Sequence, residues 1–142
     1  MTRDRRFLVF FSVIAVLLTG FIFHNSMQDA DASHTQSAGV LRLLSSVLPG
    51  LTEHAVRKLA HFLEYAALGW DLLALSVFVR RCFPRRLLLL AALFPVIPVI
   101  DECIQLFSDG RTAAFTDVCL DWSGMGCGAL VCIAMIRIIR RD

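Results

Sequence analysis

Between residues 101 and 121 the chain reads DECIQLFSDGRTAAFTDVCLD, which sets Asp101, Glu102, Gln105, Asp109, Arg111, Asp117 and Asp121 between two strongly apolar runs. A second polar set stands earlier, in RKLAHFLEYAALGWD, with Lys58, His61, Glu64 and Asp71. Ionisable groups in or beside hydrocarbon are expensive unless paired or solvated, so such clusters point to a functional site. His61 is the natural general acid or base. Glu64, Asp101, Glu102, Asp117 and Asp121 are hard oxygen donors of the kind that hold a divalent cation. The same carboxylates together with Arg111, His61 and Lys58 can instead receive a phosphate or carboxylate headgroup. There is no GxSxG nucleophile motif and no phosphate-binding glycine loop.

The elements that must position these groups are membrane spans. The composition is 57% hydrophobic against 18% charged, with a mean hydropathy of +0.68. The apolar residues fall in long blocks, which identifies an integral membrane protein and one small all-α domain, residues 1–142. Four spans are expected, at about residues 7–23, 59–79, 87–107 and 118–136. The first is read as a retained anchor rather than a cleaved signal peptide, because it is long for a signal's apolar core and the small-residue stretch at Ala30 and Ala32 lies well beyond its end.

Residues 24–39 are turn-rich and read as irregular. The apolar island VLRLLSSVL that follows has Val40, Leu41, Leu44, Val47 and Leu48 on one side, which predicts a short interfacial helix ending at Pro49-Gly50. Thr52 is placed to cap the next helix, with Glu53 in its first turn. Pro95 and Pro98 should kink the third span. Gly124 and Gly128 form a GxxxG in the fourth, suited either to the bundle or to a homodimer.

Ten of the fourteen Lys and Arg residues lie at the N-terminus, in the second loop and in the C-terminal tail. The positive-inside rule then puts both termini in the cytoplasm. Each basic cluster abuts an apolar run, so topology accounts for them and nucleic acid does not. With that topology the second, third and fourth spans all deliver their polar residues near the outer face. His61 and Glu64 are i,i+3, Asp101 and Gln105 are i,i+4, and Asp117 and Asp121 are i,i+4, so each helix aims one polar stripe inward. The expected site is a cup open to the outside, with Asp71 at its floor.

Simpler roles exist for single residues. His61 and Glu64 can satisfy each other, Asp71 can pair with an arginine or with backbone freed by a proline, and Asp117 can cap the fourth span. His24, His34 and His54 read as exposed, and Trp70 and Trp122 as packing or interface residues. The five cysteines show no CxxC and no metal-ligand spacing, which argues against a zinc site. They read as free small apolar residues, Cys103 and Cys119 being the pair that topology would allow to join.

RKLAHFLEYAALG resembles the Lys-x-x-His-x-x-x-Tyr signature of the VanZ-like membrane proteins. DECIQLFSDGRTAAFTDVCLDWSGMGCG resembles that family's Asp-Glu-x-x-Gln, Arg, Asp-Val and Gly-rich run, in the same order. The resemblance covers about half of the chain, and its matching positions are Lys58, His61, Tyr65, Asp101, Glu102, Gln105, Arg111, Asp117 and Gly124. Ser26 and Ser37 loosely match serines after the family's first span, and Asp121 stands where many members have Asn. The resemblance implies a small multi-pass protein of the bacterial inner membrane. Its founding member is associated with resistance to teicoplanin, a lipoglycopeptide acting on cell-wall precursors.

Together, residues and resemblance predict a catalytic set of His61, Glu64, Asp101, Glu102 and Asp117. The predicted substrate-binding set is Lys58, Tyr65, Gln105, Arg111 and Asp121. A divalent cation is compatible with these groups, and the expected partner is a membrane lipid or envelope precursor, with a homo-oligomer open. Three functions fit: handling of a lipid or phosphate headgroup, non-catalytic binding or shielding, and a proton- or ion-coupled carrier.

Overall fold

The computed structural model describes residues 2–44, 50, 52–108 and 114–139. Its elements are helices α1 (Arg3–Ser26), α2 (Ala30–Leu44), α3 (Glu53–Cys82), α4 (Leu87–Gln105) and α5 (Phe115–Ile139), with a 3-10 turn, Pro84–Arg86, leading into α4. Helices α1, α3, α5 and α4 with its leading turn are long and apolar enough to cross a membrane. The chain is a multi-pass membrane protein built as an all-α bundle. At about 1.5 Å per residue, the 30-residue α3 is longer than a hydrocarbon core of about 30 Å, so its ends project beyond it.

Local chemistry explains where the elements start and stop. The Thr52 hydroxyl accepts from the Ala55 N–H at 3.2 Å, the expected N-cap of α3. Arg80 and Arg81 occupy the last turn of α3, next to its exposed carbonyls, and Pro84 follows where an α-helix cannot continue. Gly50 has a φ of 95°, which glycine adopts without a side-chain penalty and which turns the chain toward α3. Pro95 and Pro98 lie inside a continuous α4, and the Trp122 indole donates to the Pro95 carbonyl at 3.2 Å.

Residues 24–39 differ from the sequence reading. Helix α1 runs on to Ser26, and after the short link 27–29 the polar stretch is helical as the first part of α2. Tertiary packing supplies what propensity lacks: Ser33 and Ser37, one turn apart, are both buried, and α2 packs against α3. The interfacial island is helical through Leu44, and its remainder, residues 45–49, lies outside the described residues.

Helix α3 is the centre, touching all four other helices, and its most extensive partner is α5. The two run parallel and approach backbone to backbone. A Cβ at Gly69 would collide with the Met125 backbone, one at Gly124 with Phe62, and one at Gly128 with Ala66. The GxxxG of α5 is therefore used inside the bundle. Helix α1 runs antiparallel to α3, with Phe7 and Phe11 stacked on Phe78 at 5.3 and 5.6 Å and Asp4 paired with Arg81 at 3.5 Å.

The apolar core is Ile22, Tyr65, Leu68, Leu72, Leu75, Ile97 and Met125. Large apolar side chains such as Phe10, Val16, Leu88, Leu89, Leu130 and Ile139 point outward, which water would penalise and lipid does not.

Candidate functional site

The polar residues gather at the end of the bundle opposite the Asp4–Arg81 pair. Parallel packing of α3 against α5 does much of this, because residues at like depth meet along the whole interface. The Lys58 ammonium donates to the Asp117 carboxylate at 2.8 Å. One turn deeper, His61 Nδ1 stands 3.9 Å from Asp121 Oδ1. A further turn in, the glycines of α5 begin and the backbones close up, so Gly124 and Gly128 fix the lateral position of Asp121 beside His61.

Helix α4 completes the third side. Asp101 is fully buried, and one of its oxygens lies within 4.8 Å of ligand atoms of both His61 and Asp121. Tyr65 is also fully buried. Glu102 accepts from the Ala114 backbone N–H, tying the end of α4 to the start of α5. Asp117 does not cap α5: its N–H bonds the Ala114 carbonyl at 2.8 Å and its side chain takes Lys58.

Two cavities open on this cluster. The first, of about 250 Å³ between α3, α4 and α5, is polar and lined by Lys58, His61, Gln105, Asp117 and Asp121 among others. The second, of about 260 Å³ between α1, α2 and α3, is largely apolar, with Asn25, Ser33, Ser37, His61 and Glu64 among its walls. Arg57 and His61 line both, so the two cavities share a wall. Glu64 does not satisfy His61; it accepts from the Asn25 amide at 3.0 Å, which binds α3 to the end of α1.

Of the residues expected from sequence, Lys58, His61, Gln105, Asp117 and Asp121 thus meet around one cavity, and Glu64 faces the other. Tyr65, Asp101 and Glu102 are buried in the cluster without lining either cavity. Arg111 and Asp109 lie outside the described residues.

Asp71 is not the floor of the cup. It stands ten positions beyond His61 on α3, about 15 Å along the axis, and lines neither cavity. It is 1% exposed, and neither of its oxygens has a hydrogen-bond partner among the described residues. Among the described residues, no arginine pairs with it and no backbone group bonds to it.

The reading of the residues missed Asn25, Ser33 and Arg57, and Ser37 entered only through the family resemblance. Ser33 and Ser37 are spaced i,i+4, a signal that was present but carries weight only if the stretch is known to be helical. Arg57 sits beside Lys58, where a cation at a span's mouth reads as topology. All five cysteines are free, including Cys103 and Cys119.

Neither a search of curated proteins nor one of solved structures returns a match. The family model described as VanZ/LLP1 matches residues 11–139, which takes in four helices whole and most of α1. The motif residues gathered around His61 and Asp121 therefore sit in a chain that belongs to the VanZ/LLP1 family.

Proposed function

We propose that this is a protein of the bacterial inner membrane, with both termini cytoplasmic, whose outward-facing cup engages the phosphate-bearing headgroup of an envelope lipid. The observation that carries this reading is the shared wall. A polar cavity holding Lys58, His61, Asp117 and Asp121 adjoins a largely apolar one through Arg57 and His61. An amphiphile has the same division, with a charged end and an apolar body. Lys58 and Arg57 supply charge-assisted donors for phosphate oxygens. His61, at the junction, is the group placed to move a proton to or from the headgroup.

Such a protein would change how much of an envelope precursor is exposed outside the membrane, which is where a link to lipoglycopeptide resistance would arise. The first test is native mass spectrometry of the purified protein offered a short-chain phosphatidic acid and the matching diacylglycerol. The phosphate-bearing lipid should bind selectively, and His61→Ala and Lys58→Ala should each weaken it about tenfold or more, the scale of one charge-assisted bond. Equal retention of the two lipids would sink the reading. Teicoplanin susceptibility with and without expression then tests the link to the drug.

A second reading, a proton- or ion-coupled carrier, is favoured by Asp71, a carboxylate buried in the inner half of α3. Proteoliposomes showing no pH- or ion-dependent flux would remove it.

A further inference from the structure

We propose that His61, Asp101 and Asp121 bind a divalent metal ion of the Mn²⁺ or Zn²⁺ kind. Each residue offers one ligand atom, and the three atoms lie within 4.8 Å of one another, although they come from three different helices. Ligands of a tetrahedral ion with bonds of about 2.0–2.1 Å stand about 3.4 Å apart, so closure asks for about an ångström of side-chain rotation.

Asp121 supplies the independent sign of a ligand. Its side chain is 2% exposed, one oxygen is directed at His61, and neither oxygen has a hydrogen-bond partner among the described residues. An ionised carboxylate out of water without a donor is strongly unfavourable, and a cation removes that penalty. Among the described residues, Lys58 is directed at Asp117, 2.8 Å away, and Arg57 at His54, 3.3 Å away, rather than at Asp121.

The donor set selects among ions. One imidazole and two carboxylates suit Mn²⁺ or Zn²⁺, whereas Ca²⁺ takes oxygen ligands alone. The cysteine spacing, read above as an argument against a zinc site, bears only on thiolate ligands, and ligands drawn from α3, α4 and α5 leave no spacing to read. His61 and Asp121 line the polar cavity, which gives the ion an entry path and leaves coordination positions open on that side.

The ion would also neutralise Asp121, a charge that otherwise repels a phosphate in the same cup. The metal site goes beyond the headgroup reading and stands without it, since binding is measured with no lipid present.

The test takes the full chain, purified in detergent, stripped with chelator and titrated with Mn²⁺ and then Zn²⁺ by calorimetry. The wild type should bind one ion per chain, and Asp121→Asn and His61→Ala should each weaken it about tenfold or more, while Glu53→Gln, in the exposed first turn of α3, should not. The Mn²⁺ complex of the wild type should show nitrogen coupling from one imidazole in electron spin-echo spectra, a readout needing no variant. No stoichiometric binding by the wild type, binding without nitrogen coupling, or unchanged affinity in both variants would overturn the proposal. Stoichiometric metal binding with no preference for phosphatidic acid would keep the metal site and discard the headgroup reading.

Discussion

Lys58 and Asp117 are 59 positions apart in sequence and meet at 2.8 Å, joining the N-terminal part of α3 to the first turn of α5. Both side chains are about one-third exposed, at 36% and 33%, so water screens the pair. A pair of that exposure contributes about 0.2–1 kcal/mol. A double-mutant cycle with Lys58→Met and Asp117→Asn, read by thermal melting in detergent, should give a coupling energy in that range. Lys58→Met should lose far more in headgroup affinity than in stability. A coupling of several kcal/mol would mean that the pair holds the bundle together rather than serving a ligand.

The glycines of α5 divide into two classes. A Cβ at Gly124 or Gly128 runs into the backbone of α3, which cannot rotate away, whereas one at Gly126 meets nothing within 4 Å. Gly124→Ala and Gly128→Ala should each destabilise the protein by about 1–3 kcal/mol or more through overpacking. Gly126→Ala should be neutral or stabilise it by about 0.5–1 kcal/mol, since alanine loses less backbone freedom in a helix. Melting temperatures of the three variants check the order. If the Gly126 variant were the least stable, α5 would use that face for another contact.

Asp71 is a buried carboxylate whose oxygens have no hydrogen-bond partner among the described residues. Removing an unsatisfied polar group in favour of an apolar one of like size stabilises a fold. Asp71→Leu should therefore raise stability by about 1–3 kcal/mol. A loss of stability, or loss of an ion-dependent flux at unchanged stability, would show that the carboxylate has a working partner, as the carrier reading requires.

Orientation rests on the distribution of basic residues and is directly measurable. A reporter active only in the cytoplasm, fused after the C-terminus, should be active, and one active only outside the membrane should work when inserted at Gly50. The reverse pattern would turn the polar cup toward the cytoplasm and remove the envelope reading with it.

The sequence alone was sufficient for the features whose causes are local. Four spans follow from runs of apolar residues, and the cap of α3 follows from Thr52 standing one position before Glu53. Alternating span directions put Lys58, His61, Asp101, Gln105, Asp117 and Asp121 at one level, because a helix of known length converts position into depth.

What only the tertiary structure decided is which neighbour each group meets, since lateral contacts between helices depend on rotation and approach, and neither is written in a single helix. Glu64 could have served His61, three positions away, yet it takes Asn25 because α1 crosses α3 at that point. Ser33 and Ser37 looked like loop until α3 gave α2 a surface to bury them against. Gly124 and Gly128 could have faced another copy, but Phe62 and Ala66 occupy that side. The same close approach of α5 to α3 carries Asp121 to His61, and α4 brings Asp101 to both.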